Sequence, residues 1–240
     1  TSQLIIDTAE KIFTDHCDKS LWDATEQGVF PCDLWQQLVE NGFHQLGDAA
    51  SGTTAADTYA FLKVCGRFAV PLPMAELLLG HSWAVAQLAP CEGLVSIGRQ
   101  HGKQAIQVPW GRRAQRVFGV DENSQVVCVA DAPVCVQEGN NMAAEARDTI
   151  ELGPDTQQIT LSDDPFAQMA LARTNLMAGT LQSTLDLGLQ FAAEREQFGR
   201  SISKFQAIQH SLAVVAAEVA AAQRAADAGV DALGTDRFIA

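Results

Sequence analysis

The sequence predicts an α+β multidomain fold with an N-terminal helical domain over residues 1–88, a small antiparallel β domain over 89–163 and a C-terminal helical bundle over 164–240. Three observations carry that prediction. Apolar residues recur at helical spacing up to about residue 88, change to short β-rich runs, then return to helical spacing after residue 163. Pro, Gly, Asn and Asp punctuate the β-rich runs. Residues 166–192 carry one continuous face of apolar or small side chains, a length no strand sustains.

The first segment reads as successive helices. Leu4, Ile5, Ala9, Ile12 and Phe13 share one helical face, and Leu34, Leu38, Val39 and Phe43 share another after Pro31. A third helix is expected from Thr54 to about Val70, ended by Pro71 and Pro73, and a fourth from Met74 to Leu88. In the middle, seven strands are expected at 94–97, 105–108, 117–120, 125–130, 134–136, 149–152 and 158–161, enough for a small antiparallel sheet or barrel. Asp164 followed by Pro165 has the form of a helix cap and first turn, with Asp163 beside it as a second capping residue. A long helix should then run from Phe166 to about Glu194 and, beyond an interruption at Gly199, an alanine-rich one from Phe205 to Val230.

Composition narrows the function classes. The net charge of −13 opposes binding to duplex nucleic acid or to an anionic membrane, while leaving room for a small anionic ligand at a local cationic patch. No apolar run reaches the roughly 18 residues of a membrane span. Thr1-Ser2-Gln3 lacks the basic and apolar regions of a signal peptide. The six cysteines form no CxxC pair and none sits beside a His at ligand spacing, so no metal is expected. The expected setting is a reducing, cytoplasmic one without disulfides.

The chemistry concentrates between the last two helices. Arg195 has a planar fork that can hold an anion through two donors, Gln197 and Gln206 offer amide donors and acceptors, and Phe198 can stack or pack on a ring. Gly199 lets the backbone turn and approach closely. Phe198 and Phe205 also suit a plain core role. His210 reads as structural, and Arg112, Arg113 and Arg116 as a basic cluster for a solvated loop or, less readily, a phosphate.

Read together, Arg195-Glu-Gln197-Phe198-Gly199-Arg-Ser-Ile202-Ser-Lys-Phe205-Gln206-Ala-Ile-Gln209 resembles the acyl-CoA dehydrogenase pattern R-x-Q-F-G-x-x-I-x-x-F-Q-x-x-Q at every fixed position. The α, β, α order is similar too, as are Gly179 on the preceding helix, Trp110-Gly111 in a strand that passes the flavin, and the turn Ala130-Asp131-Ala132-Pro133. The resemblance implies FAD as cofactor, contacted by Arg195, Gln197, Phe198 and Gln206, the FAD being held by a neighbouring subunit in a homo- or hetero-oligomer, a dimer or tetramer. It further implies α,β-desaturation of an acyl-CoA thioester in fatty acid or steroid catabolism, with electrons passed to an electron-transfer flavoprotein.

The same resemblance implies a carboxylate base, and none is assigned. Most members carry it in later helices, whereas 45 residues follow Arg195 here, so the C-terminal bundle is read as partial. A minority carry it near the start of the long helix, where this chain has Met169. The Thr/Ser-rich and Gly-Ser-Asp-type stretch that shapes the flavin pocket is missing between Cys91 and Gln107, and the CoA-contacting Arg is replaced by Ala170, with Arg173 a turn later. Two explanations stay open: a base beyond Ala240, or a reduced subunit whose partner supplies it. The alternative function is a non-catalytic structural subunit of a heteromeric acyl-CoA dehydrogenase.

Overall fold

The computed structural model describes residues 2–47, 51–84, 87–121 and 125–235. Helix α1 (Ser2–His16) buries Ala9, Ile12 and Phe13. Helix α2 (Lys19–Glu26) opens at Asp18, whose carboxylate accepts the Leu21 N–H at 2.9 Å. Most of α2 faces solvent, so it lacks the apolar periodicity that marks its neighbours. Helix α3 (Cys32–Glu40) follows Pro31 and buries Leu34 and Leu38, and a 3₁₀ turn over Phe43–Gln45 returns the chain to the core.

Helix α4 (Ala55–Arg67) starts with a reciprocal cap in which Thr54 accepts the Asp57 N–H while Asp57 accepts the Thr54 N–H. Helix α5 (Met74–Ala84) is buried on nearly every side. Of the helix expected as far as Leu88, the part to Ala84 is described, and residues 85 and 86 lie outside the described residues. Aromatic rings knit these helices: Phe61 lies 4.9 Å from Phe43 and 5.9 Å from Phe13, centroid to centroid.

Seven strands follow: β1 (Val95–His101), β2 (Gln104–Pro109), β3 (Arg116–Val120), β4 (Val126–Asp131), β5 (Val134–Gln137), β6 (Arg147–Glu151) and β7 (Gln157–Thr160). They form one sheet in the order β5-β6-β2-β1-β3-β4-β7. The sheet departs from a purely antiparallel one at β1 and β3, which pair in parallel. The cause is local. Strand β2 runs back alongside β1, so it ends beside the start of β1, and the 3₁₀ turn Gly111–Arg113 feeds β3 into the opposite edge of β1 from that same end. Ser96 Oγ donating to the Pro109 carbonyl (2.6 Å) and Gln115 N–H donating to the Leu94 carbonyl (2.7 Å) fasten this crossing. One face of the sheet joins the helical core through Val95, Ile97, Phe118 and Val129, and the other buries Val108, Val117, Ile150 and Leu152.

Helix α6 (Pro165–Glu194) is capped by Asp164, whose carboxylate accepts the Phe166 N–H at 2.8 Å. Its 30 residues extend roughly 45 Å. The first half packs on α4 at glycines: a Cβ on Gly66 would overlap the Leu176 carbonyl, and one on Gly179 the Lys63 carbonyl. The second half pairs with helix α7 (Gln206–Asp231) and exposes Leu187, Leu189 and Phe191, while α7 exposes Val214 and Val215. From Leu187 to Ala193, and from Phe205 to Ala217, there is no Asp, Glu, Lys or Arg. Among the described residues no helix is long and apolar enough to cross a membrane.

Candidate cofactor-contacting hairpin

Where the sequence predicts only a break between helices, the chain forms a miniature hairpin. Arg195 ends α6 in extended backbone (φ −73°, ψ 122°). Strand β8 (Glu196–Gln197) then pairs with β9 (Arg200–Ser201), Glu196 opposite Ser201 and Gln197 opposite Arg200. The two loop residues, Phe198 (φ 54°) and Gly199 (φ 76°), both have left-handed backbone. That is the combination a two-residue turn needs to match strand twist. For Gly199 it is free, whereas Phe198 is held there at a cost of about 1 kcal/mol.

Several fixed residues of the motif hold this geometry. The Ile202 N–H donates to the Arg195 carbonyl at 2.8 Å, continuing the ladder past the hairpin. Ser201 Oγ donates to the Ala192 carbonyl at 2.8 Å, tying β9 to the end of α6. A 3₁₀ turn, Ile202–Lys204, leads into α7, and Gln209 Nε2 donates to the Ser203 carbonyl at 3.0 Å. Gly199, Ile202, Phe205 and Gln209 are therefore scaffold.

Arg195, Gln197, Phe198 and Gln206 are presented instead. All four are exposed, Phe198 by 93%. Among the described residues none of the Arg195, Gln197 and Gln206 side chains makes a hydrogen bond or ion pair. Side chains alternate across extended backbone and directly opposed residues share a face. Arg195, Gln197 and Arg200 thus line one face of the ribbon, and Glu196 and Ser201 the other. Two guanidiniums on one face make a cationic spot on a chain of net charge −13. The ring of Phe198 meets that of Phe205 edge to face at 6.2 Å, and the Arg200 guanidinium lies 4.4 Å from the Phe205 ring centre. Arg200 falls on a variable position of the motif. Its opposition to Gln197 is the signal that marks it, and that signal appears only once the hairpin register is known.

Residues 162–237 match the sequence profile of the acyl-CoA dehydrogenase C-terminal domain. Over that C-terminal stretch the chain is similar to the acyl-CoA dehydrogenase family. Acyl-CoA dehydrogenase IpdE2 of Mycolicibacterium smegmatis is 27% identical over 221 residues, which cover 83% of this chain and 66% of that protein. The chain thus spans about two thirds of that relative's length. Among solved structures, the Tcur3481–Tcur3483 steroid ACAD superposes with a TM-score of 0.79 at 18% identity, over 96% of this chain and 77% of that one. The ChsE4–ChsE5 complex from Mycobacterium tuberculosis superposes with a TM-score of 0.78 at 16% identity, over 99% and 79%. At those identities the likeness is one of fold.

Other residues that the acyl-CoA dehydrogenase pattern brings to attention have settled roles here. Arg112 and Arg116 of the basic cluster are held by carboxylates, while Arg113 stays exposed on the turn. Arg112 is clasped by Asp148 and Glu138, and the Asp148 carboxylate raises the Arg112 pKa. Arg116 is buried, its Nη2 donating to Asp131 Oδ2 at 3.1 Å, and the Arg113 guanidinium lies over the Phe30 ring at 5.9 Å. Acidic partners distant in sequence neutralise Arg112 and Arg116. Trp110 is a core pillar, meeting Phe30 edge-on at 5.2 Å and donating to the Pro71 carbonyl at 3.2 Å. Asp163 does not cap α6. It lines a cavity of about 240 Å³ with Tyr59, Leu78 and Gln168 at the start of α6, the opposite end from the hairpin. Arg173 pairs with the buried Glu76 of α5. Met169 packs against the core.

Proposed function

We propose that this chain is an FAD-contacting subunit of an acyl-CoA dehydrogenase assembly, and that its hairpin completes a cofactor site shared with another subunit. The observation that carries this reading is the exposure of Arg195, Gln197, Phe198 and Gln206 on a turn that their own neighbours hold rigidly. The donor set fits FAD: Arg195 suits the diphosphate as a bidentate donor, Gln197 and Gln206 suit polar ring and ribityl groups, and Phe198 supplies an apolar plane. When bound, FAD would supply the acceptor for the hydride leaving Cβ of the acyl-CoA as a carboxylate takes the Cα proton. The electrons would then pass to an electron-transfer flavoprotein.

We place no base on residues 1–240. Met169, at the position some members use, cannot take a proton, Asp164 is a helix cap, and Asp163 faces the cavity beside Gln168. The carboxylate would come from a partner subunit, as in a two-chain assembly. Solved relatives of the same fold include a two-protein complex, ChsE4–ChsE5, and a steroid ACAD, which favours a steroid-type acyl-CoA as substrate. The uncharged outer faces of α6 and α7 beside the hairpin suit burial against that partner.

The decisive test is the assembly purified from its native source. It should carry the flavin absorption bands and reduce a dye acceptor when given a steroid-type acyl-CoA. R195A should lose most of its flavin while the partner remains bound. An assembly without flavin, or an R195A assembly that retains flavin like the wild type, would sink the reading and leave a purely structural subunit.

A further inference from the structure

We infer that Arg200 is a positioning residue for the cofactor contact, acting as a clamp on Phe205 that holds Phe198 and the β8–β9 turn in their presenting geometry. The inference rests on the FAD-contacting role proposed above and adds a residue at a position the family pattern leaves variable.

The geometry is a stack of three groups. The Arg200 guanidinium lies 4.4 Å from the Phe205 ring centre, well within the range of a cation–π contact. Phe205 in turn receives the edge of Phe198, with centroids 6.2 Å apart and planes at 85°. Phe198 needs such support. It is 93% exposed and its backbone is left-handed, so neither burial nor intrinsic preference holds it in place. Phe205 is also the residue at which the chain enters α7. Arg200 therefore joins the outgoing strand of the hairpin to the helix that follows. It lies opposite Gln197, so fixing Arg200 also fixes the register of the strand that presents Gln197 and Arg195.

An arginine suits this task better than a lysine, because its planar, weakly hydrated fork stacks on a ring while its edge stays open to an anion. The clamp thus keeps a second positive charge on the ribbon face shared with Arg195.

The test uses the full chain in its native assembly, with R200M, R200K, F205L and the R200M/F205L double variant. FAD affinity is read by flavin fluorescence titration. Hydrogen exchange of the Ile202 amide, which donates to the Arg195 carbonyl, is read in FAD-free protein. R200M should bind FAD about tenfold more weakly and exchange Ile202 about tenfold faster. R200K should recover part of both effects. The double variant should be no worse than F205L alone, because the two residues form one contact.

A merely structural Arg200 would lower the melting temperature and leave FAD affinity within twofold of wild type, which overturns the inference. So does a double variant whose losses multiply, or an Ile202 amide whose exchange does not change. A wild-type assembly that takes up no FAD overturns the functional reading, and the cofactor role of Arg200 with it. Wild type that binds FAD beside R200M that binds it equally well overturns the role of Arg200 alone.

Discussion

Gly179 of α6 sits against the Lys63 carbonyl of α4, and a methyl group built on it would overlap that oxygen. The contact is reciprocal: Gly66 of α4 meets the Leu176 carbonyl in the same way, and Thr180 Oγ1 donates to the Gly66 carbonyl at 3.0 Å. Backbone meets backbone here, so no side chain is present to move aside. G179A should therefore destabilise the fold by about 2–3 kcal/mol, even though alanine improves intrinsic helix propensity by about 1 kcal/mol. The check is urea unfolding, in which the midpoint should drop at unchanged slope. A G179A protein as stable as wild type would mean that the two helices separate freely.

Asp148 is the second fixed point, and it governs the sheet. It is fully buried and accepts from the Arg112 backbone N–H (2.8 Å), the Arg112 guanidinium and the Gly139 N–H (3.2 Å). Removing it leaves two backbone donors without their acceptor and the Arg112 guanidinium with only Glu138 and the Gly139 carbonyl. D148A should cost about 3–5 kcal/mol. D148N should cost less, since it keeps an acceptor oxygen. Thermal unfolding followed by circular dichroism measures both, and a loss below 1 kcal/mol for D148A would refute the estimate.

These two sites mark the boundary of what was legible in the sequence. Runs of apolar and small residues located α4, α5, α6 and α7, and Asp164-Pro165 announced the start of α6 by its own chemistry. The period was silent on α2, which buries little, and on β8 and β9, whose two residues each are too few for any period. The parallel pairing of β1 and β3 depends on which edge the crossing reaches, which alternation does not encode. Arg112 and Arg116 looked like free cations because Asp148 and Asp131 are separated from them by 36 and 15 residues. The motif from Arg195 to Gln209 announced the site. It did not distinguish the residues that build the turn from those the turn presents.

His44 gives the fold a pH dependence. It is buried, its Nδ1 has no hydrogen-bond partner among the described residues, and burial pushes its pKa below 6.5 despite the opposing influence of Glu92. A lowered folded-state pKa means that the unfolded chain binds the proton more readily. The neutral imidazole's stabilising share is thus complete above pH 6.5 and is lost as pH falls through the lower folded-state value. H44Q should flatten the stability profile on the acid side of pH 6.5 without changing its alkaline side. Chemical denaturation at closely spaced pH values decides it, and an unchanged acid slope in H44Q would assign the dependence to other groups.

The apolar faces of α6 and α7 predict association. Leu187 is 63% exposed, Phe191 61% and Val214 49%, on stretches that carry no charged side chain. Burying one such side chain is worth about 1.5–3 kcal/mol, so a face with several of them favours burial strongly even where the rest of the chain repels its copies. A carboxylate placed in that dry contact would pay a desolvation cost of several kcal/mol with no partner to offset it. In its assembly, L187E or V214E should release this chain as a 25.7 kDa monomer while leaving its melting temperature within a few degrees of wild type. L4E offers the control, because Leu4 is 70% exposed on α1, away from α6 and α7, and should leave the assembly intact. Light scattering coupled to gel filtration reads all three. If L4E dissociates the assembly as readily as L187E, the contact lies on the N-terminal helices, and the hairpin, at the far end of α6, would have no second subunit beside it.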